Sequence, residues 1–280
     1  MRAVCKKAGI IFIIMVFLIF TLGPILWCFI VSISPENEMF SSTVNFIPNN
    51  PTFQNYAMLL NINTAQGQIF IRGLVNSLKA VSVTLIIGLP ISLMTAYALS
   101  RFKFKGREII RGILLTTIVI PVFTTIIPLY AIFSDLNILD NIFWLSIVYV
   151  SSFLPMITWV ISNYINGIPV ELEEAAYLDG CGKVKAFLLI IIPNSLPIIS
   201  AVILMMFLMT WNQYQIPLIL ASSLDTKPLS MVAAEFSSKD MIKYGMTAAA
   251  GILALLPPAA AAAIFRKSLI FGFTQGAVKG

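Results

Sequence analysis

Six long apolar stretches without a charged residue dominate this 280-residue sequence. They are residues 8–35, 80–100, 112–134, 141–170, 186–224 and 244–265. The shortest has 21 residues, and a helix needs roughly 20 residues to cross about 30 Å of hydrocarbon. Segments such as 113–120 have no polar stripe that could face water, which argues against a soluble protein with six buried helices. The sequence therefore predicts six transmembrane helices.

The composition agrees with this prediction. The chain is 59% hydrophobic and only 11% charged, whereas soluble domains contain roughly 45–50% apolar and about 25% charged residues. We predict an all-α membrane protein, with residues 1–280 forming a single polytopic domain. The predicted spans are approximately 9–32, 75–99, 110–133, 142–165, 194–220 and 247–266. The two longest connections are an extracytoplasmic loop at 33–73 and a cytoplasmic loop at 166–192.

The basic residues predict the orientation of the chain, because Lys and Arg are retained on the cytoplasmic side of short loops. With the amino terminus inside, 13 of the 18 Lys and Arg residues fall in the cytoplasm. The opposite topology would place those 13 outside. Both termini are therefore predicted to be cytoplasmic. The net charge of +6 is explained by topology, and no nucleic-acid partner is predicted.

The cytoplasmic loop 166–192 has the pattern of a helix-turn-helix, which we call the elbow. Pro169 suits a first helical turn, Glu171 and Glu173 lie near the positive end of a helix dipole, and Gly180 can supply a left-handed stop. After the turn, apolar residues recur at helical spacing up to Ile191. The first arm carries a narrow apolar stripe formed by Ile168, Leu172, Ala175 and Ala176. Such a stripe fits either a docking site for a partner or a surface helix that folds back on its own subunit.

One motif within the elbow resembles a known family. Glu174-Ala175-Ala176, followed by Gly180, Ile190 and Ile192-Pro193, is similar to the EAA loop of binding-protein-dependent ABC importer permeases, which usually have Leu where this chain has Ile192. Four further segments resemble the carbohydrate-importer branch, similar to the maltose-type permeases. They are Asn55-Tyr56, Trp211-Asn212, Ala248-Ala249-Ala250 with Leu256-Pro257, and the terminal Gly276-Ala277-Val278-Lys279-Gly280.

The resemblance implies a permease subunit in the bacterial cytoplasmic (inner) membrane. It implies three kinds of partner: a second permease subunit of different but homologous sequence, a dimer of cytoplasmic ATPase subunits, and an extracytoplasmic solute-binding protein. The elbow would seat in the ATPase, with Glu174 as an anchoring charge and Gly180 as the hinge, and the tail residues Gly276 and Lys279 would also reach the ATPase pair. The residues implied in coupling are Glu171, Leu172, Glu174, Ala175, Ala176, Asp179, Gly180, Ile190 and Pro193.

The sequence lacks the residues that ATP binding, histidine-dependent catalysis or metal binding, and proton coupling require. A phosphate-binding loop is missing, since Gly182-Lys183 is followed by Val184 and Tyr177 stands where the first Gly belongs. The chain has no histidine, so we predict no catalytic or metal site and no cofactor, with ATP and Mg²⁺ bound by the partner ATPase. The spans contain no Asp or Glu, which disfavours proton coupling. The alternatives are an ABC permease for a non-sugar solute, a sodium-coupled transporter, and a pore-forming or structural subunit.

A few polar residues within the spans are candidates for a sugar path. A sugar needs neutral hydrogen-bonding groups and aromatic faces. The candidates are Trp211, Asn212, Gln213, Tyr214 and Asn163. The other reading is that Trp and Tyr form an interfacial belt while Asn and Gln join helices together.

Overall fold

The computed structural model describes residues 2–39, 46–236 and 243–277, and every regular element in these ranges is helical. The first seven helices are α1 (Arg2–Ile33), α2 (Glu36–Met39), α3 (Gln54–Leu60), α4 (Ala65–Arg101), α5 (Arg107–Val119), α6 (Val122–Asp135) and α7 (Ile142–Asn166). The others are α8 (Glu171–Leu178), α9 (Lys183–Ala186), a π-helical turn (Phe187–Ile191), α10 (Ile192–Asn194), α11 (Leu196–Trp211), α12 (Gln215–Leu220), α13 (Leu229–Glu235) and α14 (Tyr244–Ala277). The all-helical class predicted from the sequence is confirmed.

Four helical segments are long and apolar enough to cross a membrane: Gly9–Ile33, Ala65–Arg101, Ile142–Asn166 and Tyr244–Arg266. Two further pairs pass the same test together, although each pair is sharply bent. The bend is 96° between Arg107–Val119 and Val122–Asp135, and 78° between Lys183–Asn194 and Leu196–Trp211. The described residues therefore hold four membrane-spanning helices, or up to six if each bent pair is one span.

The helix boundaries differ from the sequence-based spans in several places, and α14 continues to Ala277, beyond the expected end at 266. Helix α4 begins at Ala65, ten residues before the expected start at 75, because the end of the outer loop is already helical. The region expected as 110–133 breaks at Pro121, where the preceding Ile120 is extended; a residue before proline is disfavoured from the helical conformation. The region expected as 194–220 is not one helix, since α11 ends at Trp211 and α12 starts at Gln215.

The chain divides into two compact units, and the larger comprises Gly73–Ser230 and Pro257–Gly280. Its core is built around α7, which packs against both α5 and α11. Helix α7 begins at Asn141, whose side chain accepts hydrogen bonds from the backbone N–H groups of Phe143 and Trp144, a standard N-cap. Helices α4 and α11 approach closely at Gly88, where a β-carbon would lie 2.7 Å from Cε of Met206.

The smaller unit comprises Met1–Arg72 and Met231–Leu256. Within it, the Ser32 hydroxyl lies 2.6 Å from the Tyr56 hydroxyl, and the Asn55 amide donates to the Ser32 carbonyl at 3.0 Å. These bonds attach α3 to the end of α1. In the most hydrophobic part of α1 no residue is buried against the rest of the chain, and Phe20 is 83% exposed. Such a surface needs lipid or another protein chain as its environment.

Candidate functional site

The first arm of the elbow is a short helix, α8, with a defined end. Gly180 adopts the left-handed conformation with φ of 80°, as the sequence predicts. The N–H of Cys181 donates to the Ala176 carbonyl at 2.9 Å, and the N–H of Gly180 donates to the Tyr177 carbonyl at 3.1 Å. This pair of bonds is the Schellman motif, which favours glycine at its left-handed position. The chain therefore turns sharply after α8 and begins the second arm.

A buried carboxylate, Glu173, holds α8 against the end of α4. Glu173 is only 2% exposed. One of its oxygens accepts a hydrogen bond from the Tyr97 hydroxyl at 2.8 Å, and the other forms an ion pair with the Arg101 guanidinium. Arg101 also donates to the Ile168 carbonyl at 2.8 Å. We call Tyr97, Arg101 and Glu173 the elbow anchor.

Both ends of the elbow anchor are electrostatically favoured by the helices that carry them. Arg101 is the last residue of α4, where the helix dipole favours a cation, and Glu173 lies in the first turn of α8, where it favours an anion. The side chain of Arg101 is only 9% exposed. Removing one partner of a buried ion pair is strongly destabilising, because the other charge is then buried without compensation. The anchor therefore fixes the position of α8 relative to α4.

The second arm packs on the same end of α4. The ring of Phe187 lies 4.8 Å from the Tyr97 ring, and the Lys183 ammonium lies 4.9 Å from the centre of the Phe102 ring. Ala186 and Ile191 are fully buried. The arm passes through a π-helical turn just before Pro193, a residue that cannot donate the next backbone hydrogen bond. Both arms of the elbow thus rest on one helix end.

The outer side of the elbow is exposed and apolar. Leu178 is 91% exposed and Val184 is 72% exposed, and Leu172 and Tyr177 are also accessible. The apolar stripe predicted on α8 is divided between two surfaces: Ile168 and Ala176 are buried within the chain, whereas Leu172 and Ala175 are exposed. The arrangement combines the two readings that the sequence left open, since one face of α8 packs on its own chain and the opposite face is uncovered. We call the uncovered apolar side chains of Leu172, Leu178 and Val184 the elbow tip.

The remaining coupling residues predicted from the sequence lie around the elbow tip. Glu171, Glu174 and Asp179 are exposed, Ile190 is half-buried, and Pro193 is exposed at the end of the second arm. The structure brings together a group that the prediction did not include, the elbow anchor. Glu173 was assigned only to the helix dipole and Arg101 only to topology. The pairing could have been sought from the spacing of Tyr97 and Arg101, which places both on one face of α4.

The candidate path residues differ in exposure: two are buried or half-buried, and three are exposed. Trp211 is only 4% exposed and stacks on Phe207 at 5.6 Å, so its ring has no open face for a sugar. The Gln213 side chain accepts from the N–H groups of Tyr214 and Gln215, which stabilises the start of α12. Asn212, Tyr214 and Asn163 are exposed. The cluster at 211–214 therefore forms the junction of α11 and α12, with Asn212 and Tyr214 exposed and Gln213 half-buried.

The tail residues predicted to reach an ATPase lie at the end of the chain. Gly276 falls within α14, and Lys279 lies outside the described residues.

Known transport proteins resemble this chain in fold and in sequence. The fold is similar to that of a bacterial ABC transporter involved in the import of the acidic polysaccharide alginate, with a TM-score of 0.73 and 22% sequence identity over 94% of this chain and 96% of that chain. The two chains therefore share a fold. Residues 88–271 match the profile of the binding-protein-dependent transport system inner membrane component family. The chain belongs to this family.

Two curated relatives cover nearly the whole chain. The trehalose transport system permease protein SugB of Mycobacterium tuberculosis is 28% identical over 93% of this chain and 93% of its own length. The galactooligosaccharides transport system permease protein GanQ of Bacillus subtilis is 30% identical over 92% of this chain and 90% of its own length. The chain is thus a multi-pass membrane protein of an inner-membrane transport family.

Proposed function

We propose that this chain is a permease subunit of an ATP-driven importer and forms half of the path for a sugar or oligosaccharide delivered by a binding protein. Membership of a binding-protein-dependent transport family supports the importer class. Two relatives named for trehalose and galactooligosaccharide transport support a carbohydrate substrate. The proposed location is the bacterial cytoplasmic membrane.

The observation that carries the coupling mechanism is the contrast between the two sides of the elbow. Its inner side is fixed to α4 by the buried ion pair of Arg101 and Glu173, and its outer side presents the apolar elbow tip. We propose that a cytoplasmic ATPase subunit covers this tip, with Glu174 as an exposed anchoring charge. Closure of the ATPase would then move α8, and the elbow anchor would transmit the movement to α4 as a rigid body.

The proposed topology has six spans and two cytoplasmic termini. Each bent helix pair counts as one span in this arrangement, which agrees with the six charge-free stretches. The distribution of Lys and Arg supports the orientation. Residues 1–280 then form one polytopic permease domain, with the loop 33–73 outside and the elbow inside.

The proposed complex contains three further kinds of chain. They are a second, homologous permease, a dimer of ATPase subunits that binds ATP and Mg²⁺, and an extracytoplasmic solute-binding protein. No cofactor is assigned to this chain. The tail around Gly276 and Lys279 is a second proposed contact with the ATPase pair. Among the candidate path residues, the exposed side chains of Asn163, Asn212 and Tyr214 are the ones available to a substrate.

Reconstitution tests the proposal. The tagged chain is purified with its co-eluting partners, placed in vesicles with the binding protein outside, and supplied with ATP inside. We expect uptake of sugar that requires both ATP and the binding protein, and co-elution of an ATPase and a second permease. Uptake driven by a sodium gradient without ATP would refute the proposal and support a secondary transporter.

A further inference from the structure

A cavity of about 210 Å³ lies in the larger unit where α4, α5 and α7 meet, near the end of α7 that leads into the elbow. One wall is a polar face of α7, and the rest is formed mainly by three leucines of α4 and α5. Residues four apart lie on one side of a helix, so two rows of side chains line the cavity together. These residues are Thr158, Ser162 and Asn166 in one row, and Trp159 and Asn163 in the other.

This polar face retains free capacity for hydrogen bonds. The side chains of Asn163 and Asn166 are exposed, and neither makes a hydrogen bond to another of the residues that the structure describes. The Thr158 hydroxyl is buried and has no partner within the same ranges, an arrangement that costs stability unless water or a ligand supplies one. The indole of Trp159 is 49% exposed. Neutral hydrogen-bonding groups beside an open aromatic face are the chemistry that binds a sugar ring.

The charge at the cavity is compensated, which favours a neutral ligand. Arg111 is the cation that lines it. One terminal nitrogen of Arg111 lies 3.1 Å from the Glu108 carboxylate, and the other donates to the Leu99 carbonyl at 2.7 Å. A phosphate or uronate would have to compete with Glu108 for this guanidinium. A neutral pyranose would need only the amides, hydroxyls and ring of α7.

We propose that the α7 cavity is a binding subsite for one neutral sugar ring on the side of the membrane to which the importer delivers its substrate. The inference rests on the proposed function and topology, which place the elbow end of α7 in the cytoplasm. The volume of about 210 Å³ is below the roughly 300–1,000 Å³ of pockets for drug-sized ligands. The cavity therefore accommodates a single ring, and an oligosaccharide would enter it one unit at a time.

The test measures binding to the complete transporter in lipid nanodiscs, without binding protein and without ATP. Trp27, Trp144 and Trp211 are replaced by Phe, so that Trp159 is the one tryptophan left in this chain, and the same complex with Trp159→Phe gives the fluorescence background of the partner subunits. The probes are methyl α-glucoside and methyl β-galactoside as neutral rings, with glucuronate as the anionic comparison. A parallel titration with radiolabelled methyl α-glucoside uses the unaltered chain and needs no tryptophan replacement.

We expect a saturable change of Trp159 fluorescence with at least one neutral glycoside, and affinity at least about tenfold lower in the Asn163→Ala/Asn166→Ala variant. Asn63→Ala, at an exposed asparagine that does not line the cavity, should bind as the unaltered chain does. Absence of saturable binding in both titrations, equal binding in the double variant, or equal binding of glucuronate would overturn the subsite. If ATP-driven uptake persists while binding is absent, only the subsite fails; if no ATP-driven uptake occurs, the proposed function itself fails.

Discussion

The hydroxyl of Tyr97 donates a 2.8 Å hydrogen bond to the carboxylate of Glu173, and so joins the last turn of α4 to the first turn of α8. The same carboxylate is paired with Arg101, one helical turn after Tyr97. Because all three side chains are buried or nearly so, water does not weaken these contacts as it weakens surface ion pairs. A displacement of α8 therefore moves the end of a membrane-spanning helix with it.

Replacing Glu173 by Gln should uncouple the transporter. The amide keeps the size of the side chain but leaves the Arg101 charge buried without a partner, which costs about 3–5 kcal/mol for a buried pair. We expect sugar uptake by reconstituted vesicles to fall at least about tenfold, a loss of 1.4 kcal/mol or more in coupling, while the chain still inserts into the membrane. Asp135→Asn, the same neutralisation at an exposed carboxylate of α6 outside the elbow, is the matched control.

The double variant Arg101→Leu/Glu173→Leu separates stability from coupling. Replacement of a whole buried pair by apolar residues is often neutral for stability, so the double variant should unfold at a higher temperature than Glu173→Gln. If the double variant is less stable than the single one, the uncompensated Arg101 charge is not the cause of the lower stability of Glu173→Gln.

Gly180→Ala should distort the end of α8. The residue has φ of 80°, and a left-handed conformation costs a residue with a β-carbon about 1–2 kcal/mol. Gly182→Ala is the matched control, because Gly182 has φ of −77° and no atom lies within 4 Å of the added β-carbon. We expect reduced uptake and reduced retention of the ATPase during purification for Gly180→Ala alone. Equal behaviour of the two variants would remove the turn from the coupling mechanism.

Glu174→Lys should disrupt docking without affecting the fold. Its side chain is exposed and makes no ion pair within the described part of the chain, so reversal of its charge alters only what a partner meets. We expect normal amounts of the chain in the membrane and at least about a tenfold loss of ATP-driven uptake. Asp135→Lys, the same charge reversal at an exposed site on α6, should retain uptake. Full uptake by the Glu174 variant would refute its role as the anchoring charge.

Asp140 should matter for stability rather than for coupling. Its carboxylate accepts hydrogen bonds from the backbone N–H groups of Ser222 and Ser223, and its backbone has φ of 54°. Asp140→Ala loses both bonds and places alanine in a left-handed conformation, so we expect a loss of about 1–3 kcal/mol. Asp140→Asn keeps an acceptor and tolerates this conformation better, so its unfolding temperature in detergent should lie between those of the alanine variant and the unaltered chain.

The helical class and the approximate positions of the long apolar helices could be predicted because they depend on one local property, the absence of charge over at least 21 predominantly apolar residues. The prolines at which the chain bends sharply could not. Helices α1, α4, α6 and α7 continue through Pro24, Pro90, Pro128 and Pro155, yet the chain breaks at Pro121. Each proline removes the same hydrogen bond, so packing around the helix decides whether it bends.

The elbow could be predicted from its turn signals and its motif, whereas the elbow anchor could not. Three glutamates, 171, 173 and 174, occupy the first turn of α8, and local sequence does not distinguish the buried one. Its partner Arg101 lies 72 residues away, and its role depends on the tertiary contact of α4 with α8. The burial of Trp211 likewise depends on its stacking with Phe207 and on the packing of α11. The position of an aromatic residue near a helix end does not predict such packing.

Photo-cross-linking from Leu178 tests the central claim most directly, since this side chain is 91% exposed at the elbow tip. Benzoylphenylalanine is incorporated at residue 178 and, as a control, at Phe53 in the proposed outer loop, which is 63% exposed. The account predicts an adduct with the ATPase subunit from residue 178 and none from residue 53. Absence of that adduct in an assembled, ATP-hydrolysing complex, or labelling of residue 178 by a membrane-impermeant reagent from outside the cell, would contradict it.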